Sequence, residues 1–283
     1  MTDQPVALIT GCSTGVGLHA AVRLAEAGHA VVATMRDPGK QQALLDACAA
    51  AGVSVEVRPL DVCNQGSIDA AVADVIARHG RIDVLVNNAG AGFLGSVEQT
   101  GDADLRRTME TNFFGVWNLT KAVLPQMRGQ GSGTIISVTS VGGLLGQPFN
   151  EAYCAAKFAV EGMMEGLAPL AKQFGVDICL VEPGPINTEF VASVRATSAA
   201  ALAALTEPYA TLAQRYMGST HDVFANYGQT GDDIARIIAA LATADSPDFR
   251  TITLDFAKGI VASKVVDPTG NSVIKIFAER LKG

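Results

Sequence analysis

The chain has 283 residues, 48% of them hydrophobic and 17% charged, with a mean hydropathy of +0.26. That composition excludes a disordered or heavily solvated chain and leaves enough apolar side chains for a sizeable core. The 21 basic against 28 acidic residues give a net charge of −7, and no Lys/Arg cluster stands out, so neither nucleic acid nor an anionic membrane is the expected partner.

The predicted elements alternate. Strands are expected at Val6–Thr10, Ala30–Thr34, Ser54–Arg58, Ile82–Asn87, Thr134–Thr139, Asp177–Glu182 and Thr251–Phe256. Helical patterns begin near Gly15, Gly39, Gln65, Asp102, Glu151 and Gly231. Continuous apolar runs such as Val84–Val86 suit a sheet covered on both faces. The regular alternation predicts an α/β fold: a single doubly wound Rossmann-like domain over residues 1–283, with a seven-stranded parallel sheet flanked by helices. Residues 185–229 break the rhythm. A long insertion of that kind reads as a substrate-binding loop or lid.

The N-terminus has no basic region ahead of its first apolar run, so no signal peptide is expected. The uncharged stretch Gly129 to Asn150 is broken by glycines, serines and a proline, so no membrane span is expected either. Five scattered cysteines (Cys12, Cys48, Cys63, Cys154, Cys179) form no Cys-x-x-Cys pair and have no histidine at metal-ligand spacing. They read as free thiols in a reducing compartment, with a cytoplasmic location expected and no metal. Cys12 and Cys154 read as inert, His19, His29, His79 and His221 as solvated, and Trp117 as core.

Chemistry concentrates at three places. The first strand runs into Gly11, Ser13, Thr14, Gly15, Val16 and Gly17, a G-x-x-x-G-x-G turn. Its glycines allow close approach to a pyrophosphate, and the helix that follows offers free N–H groups and a positive dipole end. Tyr153 and Lys157 lie four residues apart on a predicted helix from Glu151 to Phe174, so the ammonium sits near the phenol and is expected to lower its pKa. Ser140 ends a strand, where the sites of open parallel sheets gather, and Asn112 falls inside the helix after the fourth strand.

Taken in order, Thr10–Gly17, Asn87-Asn88-Ala89-Gly90, Asn112, Ser140, Tyr153-x-x-x-Lys157 and Pro183-Gly184 resemble the short-chain dehydrogenase/reductase family over roughly residues 5 to 256. Within it, Gly11-Cys12-Ser13, Ser140-Val141-Gly142-Gly143, Pro148-Phe149-Asn150, Gly184-Pro185-Ile186-Asn187-Thr188 and Asp267-Pro268-Thr269-Gly270 resemble estrogenic 17β-hydroxysteroid dehydrogenase-like members more than acyl-carrier ketoreductases.

The resemblance implies roles. Tyr153 would be the general acid in reduction and base in oxidation, supported by Lys157, which would also bond the nicotinamide ribose. Ser140 would hold the substrate oxygen, and Asn112 a relay water. Asp61 with Val62 would meet the adenine, although Asp61 equally reads as a helix-capping carboxylate. Asn88, Ala89 and Gly90 would line the adenosine ribose, and Pro183, Gly184, Ile186 and Thr188 the nicotinamide side. Homologous enzymes are commonly dimers or tetramers, so a homodimer or homotetramer is implied as well.

At the end of the second strand, where NAD enzymes carry an acid for the ribose 2′-OH, stand Met35 and Arg36. An arginine there pairs with a 2′-phosphate. NADP(H) is therefore the expected cofactor, with NAD(H) use left open and Asp37 acting against the preference. Apolar Val141, Leu145 and Phe149 beside Ser140 and Tyr153, with Phe190 on the insertion, predict a bulky, uncharged ketone or secondary alcohol (steroid-like, retinoid-like or aromatic) as substrate. The competing reading is a non-catalytic NADP(H)-sensing protein of the same fold.

Overall fold

The computed structural model describes residues 4–267, 269 and 271–279. Pro268 and Gly270 of the C-terminal motif lie outside the described residues, as do the ends of the 1–283 span.

Strands β1 (Val6–Thr10), β2 (Ala30–Met35), β3 (Glu56–Pro59), β4 (Val84–Asn87), β5 (Gly133–Val138), β6 (Val176–Glu182) and β7 (Arg250–Ile252) form one sheet in the order β3-β2-β1-β4-β5-β6-β7. Every pairing in it is parallel. Along β1 the side chains alternate between two cores. Ala7 and Ile9 join the layer built by α1 (Gly15–Glu26), α2 (Gln42–Ala51) and α9 (Gly231–Thr243), where Leu24, Leu44 and Ile238 are buried. Val6 and Leu8 face the layer of α3 (Gln65–His79), α5 (Gly115–Gln130) and α6 (Glu151–Lys172), where Ile68, Leu119 and Met164 are buried. That period of two is why a doubly covered strand reads as unbroken apolar sequence. The strand order reverses between β1 and β4, which opens a crevice at their carboxyl ends.

Several expectations shift. Strand β3 begins two residues later than predicted, and β7 stops at Ile252 because Leu254 caps α10 (Asp255–Val266). The helix expected after β4 is α4 (Asp102–Met109), a π turn (Glu110–Phe114) and then α5, with Asn112 in the π turn. Residues 185–229 are not irregular: α7 (Glu189–Ala203) and α8 (Tyr209–Tyr227) fill most of the segment. Its alanine-rich stretch favours helix even where no strand follows. The last described helix is α11 (Asn271–Glu279).

Trp117 is 47% exposed rather than core. Val116, Leu119 and Val123 take the inward stripe of α5, so a residue one position along is turned about 100° away. His29 is buried rather than solvated, its Nδ1 lying 3.2 Å from the Leu24 carbonyl where the chain turns from α1 into β2.

Helix α7 is clasped to the body. The Leu94 N–H donates to the buried Ser198 hydroxyl at 2.8 Å, and a Cβ on Gly92 would fall 2.2 Å from Val194 Cγ2. Beneath α8, Leu145, Phe149, Ala213 and Tyr216 form a separate apolar cluster.

Candidate active site

The crevice is built first as a cradle for a dinucleotide. Gly11 turns the chain at φ +74°. A Cβ on Gly17 would lie 2.3 Å from the Gly11 carbonyl and 2.4 Å from Asn88 Nδ2. Asn88 donates through Nδ2 to the Thr10 carbonyl at 2.8 Å, while the Thr10 hydroxyl accepts from the Asn88 and Ala89 N–H groups at 3.0 Å each. The ends of β1 and β4 are thereby sewn together. Thr14 precedes α1 in extended conformation with no side-chain cap, so the first N–H groups of that helix remain available to an anion.

A cleft of about 740 Å³ opens beside this turn, lined by residues that include Thr14, Gly15, His19, Thr188 and Arg195. Thr188, at the start of α7, stands against the Gly15 position, with 3.5 Å to where a Cβ would be. Asn187 and Ile186 are held by pairing to Gln229, and Pro183 accepts from Val141 N–H at 2.9 Å, which ties the Ser140 turn to Pro183-Gly184. The uncapped helix end, the Cβ-free cradle and the exposed Arg36 are a donor set that fits a phosphorylated dinucleotide.

One proposed contact changes. Met35 is 3% exposed and packs in the same core layer as Val31 and Ala33, so strand alternation turns it away from the crevice. Arg36 is exposed and has no ion-pair partner among the described residues. The neighbouring Asp37 carboxylate accepts from Gly39 N–H at 2.9 Å in a single 3-10 turn. One Asp61 oxygen accepts from Cys63 N–H at 3.0 Å in the turn before α3, and the cap of that helix is Asn64 rather than Asp61. Val62 packs against Gly115, where a Cβ would come within 2.9 Å.

The reacting groups converge on one wall. The Ser140 hydroxyl accepts from Gly142 N–H at 3.0 Å and stands near enough to the Tyr153 phenol to act against the rise in its pKa. Lys157 Nζ lies 5.6 Å from the centre of the Tyr153 ring and donates to the Val138 carbonyl at 3.0 Å. Gly90 leaves the room they need: a Cβ there would be 3.0 Å from Asn112 Oδ1 and 3.8 Å from Lys157 Nζ. The Asn112 amide is fully buried and spent on its neighbours, with Nδ2 donating to the Ala91 and Thr108 carbonyls and Oδ1 accepting from Ala91 N–H. Phe190 on α7 stands over the site with its ring centre 6.4 Å from that of Tyr153. Phe149, at φ +60°, turns under it into the apolar cluster with Leu145.

Burial controls the charges here. It raises the Tyr153 phenol above its ordinary value, against the lowering that Ser140 gives, so the fall expected from Lys157 is not what governs this protein without a cofactor. The same burial lowers Lys157 to about 8, opposed by the negative charge of Glu161. Desolvation penalises both ionised forms, and at this separation it outweighs their attraction. Burial also raises Cys12 to about 12 and Cys154 to about 11, which disfavours the thiolate at both.

Sequence reasoning missed a second polar cluster behind Lys157. Glu161 continues the Tyr153-Lys157 stripe by another four residues. It accepts from the Thr139 hydroxyl at 2.6 Å and pairs with Arg250. Arg250 also bonds Glu182 at 3.0 Å and Glu165 at 2.6 Å. Glu182 is completely buried, and its second oxygen has no partner among the described residues. The only sequence signal was the continued i, i+4 spacing of an acid on a helix already carrying the reactive pair.

Comparison with known proteins agrees with this geometry. The short chain dehydrogenase family model matches residues 5–199. Retinol dehydrogenase 8 from Bos taurus is 39% identical over 97% of this chain and 90% of its own length. The 17-beta-hydroxysteroid dehydrogenase type 1 of Homo sapiens is 37% identical over 99% and 87%. Among solved structures, a short chain dehydrogenase/reductase from Burkholderia phymatum in complex with NAD has a TM-score of 0.81 at 26% identity, covering 94% of this chain and 95% of its own. A metagenomic short-chain oxidoreductase in complex with NADP has a TM-score of 0.69 at 30% identity, with coverages of 88% and 96%.

Glu182 predicts a pH dependence of stability. Burial and the neighbouring Glu161 raise its carboxyl from 4.5 to about 7, so the folded state takes up a proton that the unfolded state releases. This contribution is fully present below the unfolded value and is lost as pH rises through about 7. Thermal unfolding followed from pH 5 to pH 8 should show a declining midpoint in the parent, and a flatter profile in Glu182→Gln.

Proposed function

Because the chain belongs to the short-chain dehydrogenase family, and so is an NAD(P)-dependent oxidoreductase acting on CH–OH groups, we propose that it moves a hydride between NADP(H) and a bulky, uncharged hydrophobic ketone or secondary alcohol. The observation carrying this reading is the convergence of Ser140, Tyr153 and Lys157 beneath Phe190, at the mouth of an apolar cluster. The names of two relatives, a retinol dehydrogenase and a hydroxysteroid dehydrogenase, support steroid-like and retinoid-like compounds.

Each role follows from placement. Bound in the crevice, the cofactor would be held by Gly11, Ser13, Thr14, Gly15, Val16 and Gly17 at the pyrophosphate, by Asp61, Val62, Asn88, Ala89 and Gly90 around the adenosine, and by Lys157, Pro183, Gly184, Ile186 and Thr188 near the nicotinamide; it supplies the hydride. Ser140 holds the substrate oxygen and Tyr153 exchanges its proton with that oxygen. Lys157 offsets the negative charge left on the phenol. Asn112, which fixes the Ala91 loop beside this wall, would anchor a relay water. Val141, Leu145, Phe149 and Phe190 shape the apolar space.

Arg36 gives the cofactor preference. It projects from the end of β2 without a carboxylate partner, beside a carboxylate already turned into its own loop. We further place residues 185–229 as the lid of a single domain, and the exposed Phe114 and Trp117 at a contact between subunits of a homodimer or homotetramer. All five cysteines are free, which supports a reducing, cytoplasmic location. No helix among the described residues is long and apolar enough to cross a membrane.

Tyr153→Phe should lower kcat for estrone or α-tetralone by roughly 10²–10⁴-fold while NADPH affinity stays near the parent's, since general acid–base catalysis contributes about that much. Fluorescence titration and steady-state kinetics on one preparation measure both, and a variant that keeps most of its kcat removes Tyr153 from the role. Arg36→Ala should cost NADPH roughly 10-fold or more in kcat/KM, as expected for losing a charge-assisted contact of about 1.5–3 kcal/mol, and leave NADH use unchanged. Equal losses for the two cofactors would assign Arg36 elsewhere.

A further inference from the structure

We propose that Glu161 is a positioning residue for this reaction: its buried carboxylate holds the charge of Lys157 and the seat of Ser140 together, and Arg250 with Glu182 clamps it in place. The inference rests on the reading of Tyr153 as the acid–base group and adds the residue that prepares its partner.

The argument is geometric. Tyr153, Lys157, Glu161 and Glu165 follow one another at four-residue intervals on α6, so Glu161 lies one turn behind Lys157 on the same stripe. Its carboxylate does not reach toward solvent. The Glu161 side chain is 6% exposed. One of its oxygens accepts from Thr139, the residue just before Ser140, at 2.6 Å. A Cβ on Gly143, in the short turn that follows Ser140, would lie 3.0 Å from Glu161 Cγ and 3.2 Å from Oε1. Glu161 is therefore wedged under both flanks of Ser140, and only a glycine at 143 leaves space for it. Its other oxygen pairs with Arg250 on β7, which simultaneously bonds Glu182 at the end of β6. Glu182 immediately precedes Pro183, whose carbonyl returns a bond to Val141.

The charged and titratable groups facing Glu161 are Lys157 and Glu165 from its own helix, Glu182 from β6 and Arg250 from β7; the residue after β5 contributes the Thr139 hydroxyl. One cation shared among three carboxylates leaves net negative charge behind Lys157. That field favours the protonated ammonium over the neutral amine, and it is the effect that opposes burial at Lys157. An ammonium that stays charged offsets the tyrosinate formed when Tyr153 gives up its proton. A salt bridge serving stability alone would have no such reach, because its removal would leave the titration of Lys157 where it was.

Lysine titration by heteronuclear NMR on the isotope-labelled full chain reads this without a substrate. In Glu161→Gln the Lys157 signal should titrate about one pH unit lower than in the parent, as expected when an opposite charge nearby is removed. The alkaline limb of kcat for the reduction of α-tetralone by NADPH should move with it, and Glu161→Asp, which keeps the charge, should return the limb toward the parent's. If Glu161→Gln does not fold, Arg250→Gln provides the opposite sign. Freed from its counter-cation, the Glu161 carboxylate should raise the Lys157 titration. A Lys157 titration unmoved in the folded variant, or a lowered kcat with an unmoved alkaline limb, overturns the proposal. Failure of Tyr153→Phe to lower turnover strikes the underlying reading instead, and the NMR result stands apart from it.

Discussion

A buried cation governs this site. Lys157 is 5% exposed, bonded to the Val138 carbonyl and backed by Glu161. An ammonium drawn that far out of water is costly unless partners replace its hydration. Much of the surrounding architecture supplies such partners. Strand β5 ends so that its last carbonyl faces the amine, α6 carries the acid one turn behind it, and Gly90 leaves the opening through which it meets the phenol's surroundings.

The same carboxyl edge of the sheet explains the rest of the arrangement. Strand order reverses between β1 and β4, so Gly11 and Asn88 come from strands on opposite sides of the switch point and are fastened through Thr10. The backbone approach at Gly17 leaves no room for a side chain, and the free end of α1 presents its N–H groups to the space that results. Helix α7 brings Phe190 over Tyr153, while Ser198 anchors it to the loop after β4.

Much of this was legible in the sequence, for identifiable reasons. Tyr153, Lys157 and Ser140 could be read because an i, i+4 pair and a strand end each fix a side chain by local geometry. Arg36 was legible, but Met35 was misplaced, although the alternation Val31, Ala33, Met35 already turns that residue into the core. The lid was visible as a lapse in strands but not as helices, since small alanine residues mark no inward face. The Glu161 cluster was hidden because its partner Arg250 lies 89 residues away and meets it only through the parallel register of β6 and β7. The direction of the Tyr153 shift was hidden for a related reason: spacing shows the neighbouring charge but not the burial that opposes it.

The central claim, that the buried Lys157 charge makes Tyr153 usable, is tested most directly by alcohol oxidation in Lys157→Met at saturating NADP⁺, followed as single-turnover rate against pH. The account predicts a rate that collapses near neutral pH and recovers only as the pH climbs toward the raised titration of the unsupported phenol. A variant whose rate and pH profile match the parent's would contradict it.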